Sequence, residues 1–312
     1  MIAALNTMLA MLILGLAAWT VIARGTFAAA VGFVAFGMTL TLAWVQLQGV
    51  DVALMEGAIG GGLTGAMLIL AAGRLRATEA AARAERPGPR IRIAAAVVAA
   101  CLTAALAAAV LALPSPAPTL AHATADNLAA TGVGNPITGV LMAFRAMDTL
   151  LEAIVVLFTV IGVWSLAPDG AWGGRPGRLH RVDPNTILAY LARVLPPIGI
   201  VVSVYIFWIG AELPGGKFQS ASILAAMWLL VVMAGLTDAP PISRPSLRLA
   251  LIGGPVVFIA IGAAGVVTAG EFLAYPDGFA KPLIKVIEFA LLPSLALALA
   301  LILAGAPKRP AR

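Results

Sequence analysis

The sequence predicts an all-α, polytopic transmembrane bundle of about nine helices, and three observations carry that prediction. Of 312 residues, 61% are hydrophobic and only 11% charged, whereas soluble domains hold about 25% charge and roughly half apolar residues. The mean hydropathy is +1.01. Apolar runs of about 20 residues, the length that crosses about 30 Å of hydrocarbon, recur along the chain, and the arginines gather in the short stretches between them.

The runs fall at 2–23, 27–47, 51–72, 93–113, 147–166, 186–209, 218–237, 249–270 and 282–304. The first has no basic residue before it and is too long for a signal-peptide core, so it reads as a retained helix. Arg24 follows it directly, and the segment 73–92 carries Arg74, Arg76, Arg83, Arg86, Arg90 and Arg92 against Glu79 and Glu85. The segment 114–136 has no Lys or Arg, and further cations recur at Arg175, Arg178, Arg181, Arg244, Arg248, Lys308, Arg309 and Arg312. The positive-inside bias then places the N-terminus outside and the C-terminus in the cytoplasm of a multi-pass protein of the cell's inner (plasma) membrane.

Within this frame the third run carries Gly57, Gly61 and Gly65 at every fourth position, with Gly60 and Gly62 beside them. Such a face admits a second backbone closely, and it suits either plain packing or a locally unwound helix. Asn135-Pro136 and Asp183-Pro184 read as an N-cap followed by proline at the first helical position. The stretch 137–147 is too short to span and reads as a half-buried lead-in. Pro196-Pro197 should kink the sixth run, and 213–217 reads as a tight outer turn. Trp44 and Trp208, near run ends, read as interfacial anchors, and Arg193 can reach the inner surface.

Ionisable groups inside hydrocarbon cost about 2.5 to 3.5 kcal/mol each on insertion scales, so they mark function or pairing. Asp51 and Glu56 open the third run; Asp51 can stay wet, and Glu56, about 7 Å deeper along the axis, either relays a proton or cation or pairs with another helix. Arg145, Asp148 and Glu152 share one helical stripe near Thr149. That stripe is either an internal salt bridge at a subunit contact or a set of hydrated carboxylates tuned by Arg145. Lys281, Lys285 and Glu288 repeat the design on one face at the start of the ninth run; Lys281 can snorkel outward, and Lys285 with Glu288 forms either a fixed pair or one that exchanges protons. Glu212 reads as a solvated acid of the outer turn.

Other classes drop out. The formal charge of +6 is spread between apolar runs rather than on an aromatic-studded polar face, which argues against nucleic acid. One cysteine, Cys101, forbids an intrachain disulfide, and His122 and His180 lie too far apart for a zinc or iron-sulfur site. No phosphate-binding glycine loop and no Ser/His/Asp set is present, so the chain is expected to be no enzyme and to hold no cofactor. A self-sufficient transporter would carry two similar halves with matched broken helices, and no such repeat is found.

Three strings resemble one family. Asp51-Val-Ala-Leu-Met-Glu-Gly-Ala-Ile-Gly-Gly-Gly-Leu-Thr-Gly-Ala66 resembles the carboxy-terminal part of the large A subunit of Mrp multisubunit cation/proton antiporters, usually close to DVALTEAAVGAGLTGAL. Phe144-Arg-Ala-Met-Asp-Thr-Leu-Leu-Glu152 resembles a second stretch of that region, usually FRGFDTLGE. Gly210-Ala-Glu-Leu-Pro-Gly-Gly-Lys-Phe-Gln219 resembles the B-subunit signature GHxxPGGGFxGG, with Ala211 in place of its histidine and Lys217 in place of a glycine. Ala146 likewise replaces a glycine.

The order of the strings matches the small D, E and F subunits of membrane-bound hydrogenases, so the chain resembles a fusion of regions 1–113, 114–183 and 184–312. The first two regions are also similar to a small membrane subunit of respiratory complex I. The resemblance implies an accessory membrane subunit of an Mrp-type ion-translocating module, beside an antiporter-like subunit and other Mrp-type or hydrogenase-like membrane subunits. It places Glu56, Asp148 and Glu152 at motif positions on a route for H+ or Na+. The alternative is a non-conducting scaffold that binds lipid and neighbouring subunits.

Overall fold

A computed structural model describes residues 2–84, 88–116, 118–177 and 186–309. Helices α1 (Ile2–Ile22) and α2 (Thr26–Gln46) form a hairpin turned at Gly25. The third run begins as α3 (Val50–Met55), widens into a π-helical stretch over Glu56–Thr64, and continues as α4 (Gly65–Ala84), beyond the expected end of the span. The glycine face packs closely, and the helix there is widened rather than unwound. The helix is locally widened, and a Cβ on Gly37 of α2 would stand 3.0 Å from the Cα of Gly61, so α2 lies directly on the widened backbone.

Helix α5 (Pro89–Leu111) buries none of its residues against the rest of the chain. The cation-free segment after it holds α6 (Ala121–Thr131), which stops at Gly132 in the left-handed region with φ +66°. The lead-in is a single turn, α7 (Pro136–Gly139), followed by a second π-helical stretch over Val140–Phe144 and then α8 (Ala146–Ser165). Asn135 caps α7 as expected, its side chain accepting the Ile137 N–H at 2.9 Å, with Pro136 at the first helical position. The expected cap at Asp183-Pro184 lies outside the described residues.

The last four helices are α9 (Ile187–Ile209), α10 (Lys217–Met233), α11 (Pro245–Ala269) and α12 (Ala280–Ala304). Among the described residues eight helices are long and apolar enough to cross a membrane, and α10, with 17 residues, is a shorter apolar helix in the place of the seventh run. The chain is thus a multi-pass, all-α membrane bundle. Helix α12 is its axis: Ile284, Ile287, Leu291, Leu295 and Leu299, all on one helical face, are buried against α8, α10 and α11.

Prolines inside these helices free carbonyls that the packing must satisfy. Pro255 cannot donate to Leu251, and the Ser294 hydroxyl of α12 donates to that carbonyl instead. A Cβ on Gly254 would stand 2.9 Å from the Cα of Leu291, so the glycine beside the proline is what lets α12 come close enough to do this. A two-stranded antiparallel ribbon, β1 (Arg175–Pro176) with β2 (Pro307–Arg309), was not expected from the sequence. It lies near Arg74, at an arginine-rich end of the bundle.

Candidate functional site

The opposite, arginine-poor end brings together three strings that lie far apart in the sequence. Asp51, expected to stay wet, is half-buried and held. Its Oδ1 accepts the Gly215 N–H at 3.1 Å and the Asn135 side-chain amide at 3.3 Å. Asn135 is itself only 3% exposed, and its amide also reaches the Leu213 carbonyl at 3.0 Å. Thr138 donates to the Gly210 carbonyl at 2.6 Å. The α3 start, the α7 cap and the turn 210–216 are therefore one hydrogen-bonded unit.

That turn sets the depth at which α10 begins. Gly215 and Gly216 take φ of +155° and +139°, which side-chain-bearing residues rarely adopt. The Gly216 N–H donates back to the Ile206 carbonyl at 3.1 Å, and a Cβ on Gly210 would stand 2.7 Å from Gly216 Cα. The chain thus tucks under the end of α9 before α10 starts. As a result Lys217, the first residue of α10, is only 4% exposed.

Lys217 Nζ lies 3.5 Å from Glu288 Oε1, 3.2 Å from the Met142 sulfur and 5.7 Å from the centre of the Phe218 ring. Glu288 is also 4% exposed. The sequence expectation paired Glu288 with Lys285, its neighbour on α12; the fold gives it Lys217 of another helix. Lys285 instead sits over the Trp208 ring, 4.9 Å from its centre. Trp208, read as an interfacial anchor, has this second role. Lys281 does not merely snorkel outward but pairs with Glu212. That pairing holds the exposed Glu212 carboxyl below its ordinary range, chiefly through the hydrogen bond from Lys281.

Glu288 separates two cavities. One, of about 180 Å3, is lined by Asp51, Thr138, Lys217, Gln219 and Glu288 between apolar walls. The other, of about 90 Å3, lies between Glu288, Lys285 and the rings of Phe207, Trp208 and Phe289. A water needs only about 10 to 15 Å3 and two to four polar partners, so both have room for water. Tyr275, in the loop before α12, donates to the Met142 carbonyl at 2.7 Å. Burial, and next the nearby Glu288 charge, push its hydroxyl pKa upward.

The remaining expected residues lie apart from this centre. Glu56 is half-buried at the foot of the π-helical stretch, where a Cβ on Gly37 would stand 3.2 Å from its Oε1. Arg145 and Asp148 form an ion pair at 2.6 Å, with the Arg145 side chain 70% exposed, beside a cavity that Glu271 also lines. Glu152 is exposed on α8. Among the described residues neither Glu56 nor Glu152 has a basic partner. Lys217 and Asn135 gained no ion-handling role in the sequence reading. Lys217 stood out only as a departure from a glycine motif, and that departure was the available signal.

Residues 187–306 match the family described as a domain related to the MnhB subunit of Na+/H+ antiporter, and residues 11–77 match the family of the MBH D subunit. No curated protein matches the chain. A solved structure of the Mrp complex from Dietzia sp. DQ12-45-1b contains a chain 24% identical to this one, with a TM-score of 0.73 over 97% of this chain and 35% of that one. This chain therefore spans about a third of the length of that relative. The structure of the membrane-bound sulfane sulfur reductase, an archaeal respiratory membrane complex, contains a chain 20% identical, with a TM-score of 0.54 over 68% of this chain and 97% of that one.

Proposed function

We propose that this chain, which through its MnhB-related and MBH D-type domains belongs to the subunits of Mrp-type antiporters, helps conduct a cation through buried carboxylates. It does so as an accessory, non-enzymatic subunit in the inner membrane, beside an antiporter-like partner and other membrane subunits. The observation that carries the reading is the buried Lys217–Glu288 pair opening on a cavity shared with Asp51. A buried ion pair is weak as a device for stability, because desolvating both charges offsets most of their attraction. It is apt as a site that gains and loses a proton. Asp51, the larger cavity, Lys217 with Glu288, the smaller cavity and Lys285 form an ordered polar series through one end of the bundle.

Glu56, without a basic partner among the described residues and set against the glycine contact of α2, is the deeper acid that would continue the route along the third span. Asp148 and Glu152, on the outward side of α8, would carry it toward a neighbouring subunit. The scaffold reading draws support from the Arg145–Asp148 and Lys281–Glu212 pairs, which fix charges in place. Ion flux through the assembled complex in proteoliposomes separates the two. Glu56→Gln and Glu288→Gln are each expected to cut flux by about tenfold or more, the scale of losing a proton-transfer group, while the complex still co-purifies. Full flux in both variants, or lost assembly in both, would leave the scaffold.

A further inference from the structure

We infer that Lys217 decides which cation this passage takes: its ammonium, sealed in the bundle 3.5 Å from Glu288, fills the place Na+ would need at that carboxylate, so protons pass and Na+ does not. The inference rests on the proposed conduction through Glu288 and adds selectivity to it. A hard metal cation binds by collecting oxygen ligands and is chosen by their number and field. In the larger cavity the oxygens of Asp51 and Thr138 are already engaged. Asp51 accepts from Gly215 and Asn135, and the Thr138 hydroxyl is turned to the Gly210 carbonyl. Glu288 is the acid left facing the space, and Lys217 stands on it.

The charges around the two cavities balance. Asp51 and Glu288 oppose Lys217 and Lys285, and the nearby Glu212 is matched by Lys281. Tyr275, whose pKa is raised, stays neutral. No excess negative charge remains among these groups to hold a dehydrated metal ion. A structural ion pair closes to about 2.7 to 2.9 Å, but this one stands at 3.5 Å and the ammonium's other close partner is the weakly accepting Met142 sulfur. Its donors are therefore incompletely used and border the cavity.

A proton crosses this point without any ion taking up residence. One N–H bond of Lys217 breaks as an O–H bond forms on Glu288, leaving a neutral amine and a neutral acid. The amine takes a proton from hydronium in the larger cavity and releases water. The acid gives its proton to water in the smaller cavity and is a carboxylate again. Over the three steps one proton enters from the larger cavity and one leaves to the smaller, and the pair returns to its charged form.

Equilibrium binding of radioactive Na+ to the purified complex tests the assignment independently of transport. Lys217→Gln is expected to create a Na+ site at least about tenfold tighter than any the parent shows at Glu288, since an adjacent cation weakens a carboxylate's hold on H+ by about one to three decades and repels Na+ by the same charge. The gain disappears in the Lys217→Gln/Glu288→Gln double variant, and Lys217→Arg binds as the parent does. Should Lys217→Gln not assemble, Lys217→Gly reads the same quantity. Parent binding that falls on Glu288→Gln, or no gain on removing the ammonium, overturns the inference. Proton flux that ignores Glu288→Gln sinks the conduction proposal instead, so the two failures are distinguishable.

Discussion

Glu212 and Glu288 each lie beside a lysine, and their surroundings give them different physics. The Glu212 pair is about half in solvent, so water screens it and it contributes less than about 1 kcal/mol. Because Lys281 lowers the folded-state pKa of Glu212 below its ordinary 4.5, the folded protein binds this proton more weakly than the unfolded chain. The pair's contribution is present above the ordinary value and is lost as pH falls through the lowered one. Thermal unfolding followed by tryptophan fluorescence should therefore show Glu212→Gln slightly less stable at pH 7. The difference should vanish in acid, and a difference that grows in acid would contradict the sign. Glu288 has no such screening, which is why its one partner matters so much.

At the scale of elements, the arginine-poor end is tied together by the Asp51 carboxylate, the Thr138 hydroxyl, backbone groups of the 210–216 turn and a single side-chain amide. Asn135 caps α7, bridges to Asp51 and reaches the turn at Leu213. Losing an N-cap costs about 1 kcal/mol, and leaving buried polar partners unmade costs about 1 to 3 kcal/mol more. Asn135→Ala is thus expected to destabilise the protein by about 2 to 4 kcal/mol and to loosen the turn that buries Lys217. Chemical denaturation in detergent reads the first effect, and faster hydrogen exchange at 210–217 reads the second. A neutral result would mean the three strings hold together without it. The short α10 belongs to the same account: its 17 residues rise only about 25 Å, and the Gly216 N–H that precedes it meets the Ile206 carbonyl, about one turn before α9 ends.

Across the whole molecule, packing is uneven. Helix α12 is enclosed by α8, α10 and α11, while α5 buries nothing and exposes Val97, Leu102, Leu106 and Val110. Lipid or another subunit must cover it. The chain's one cysteine, Cys101, lies exposed on this helix and reports which. A membrane-permeant maleimide should label it in the isolated chain and label it several-fold more slowly in the assembled complex. Equal rates in both would assign that face to lipid.

The places of the apolar helices, the Asn135 cap, the lead-in before α8 and the close glycine face were legible in the sequence, while the expected ninth crossing is the short α10. Each depends on hydropathy, local capping chemistry or side-chain size within one stretch of chain. The partner of Glu288, the clasp on Asp51 and the seat of Lys285 on Trp208 were not. Neighbours on one helix face are set by a fixed rise and turn, and that arithmetic offered Lys285 to Glu288. Only the tucked glycine turn, by starting α10 deep in the bundle, delivered a lysine from 71 residues away to that carboxylate. Which charges neutralise one another was decided by helix depth and crossing, which no local pattern encodes.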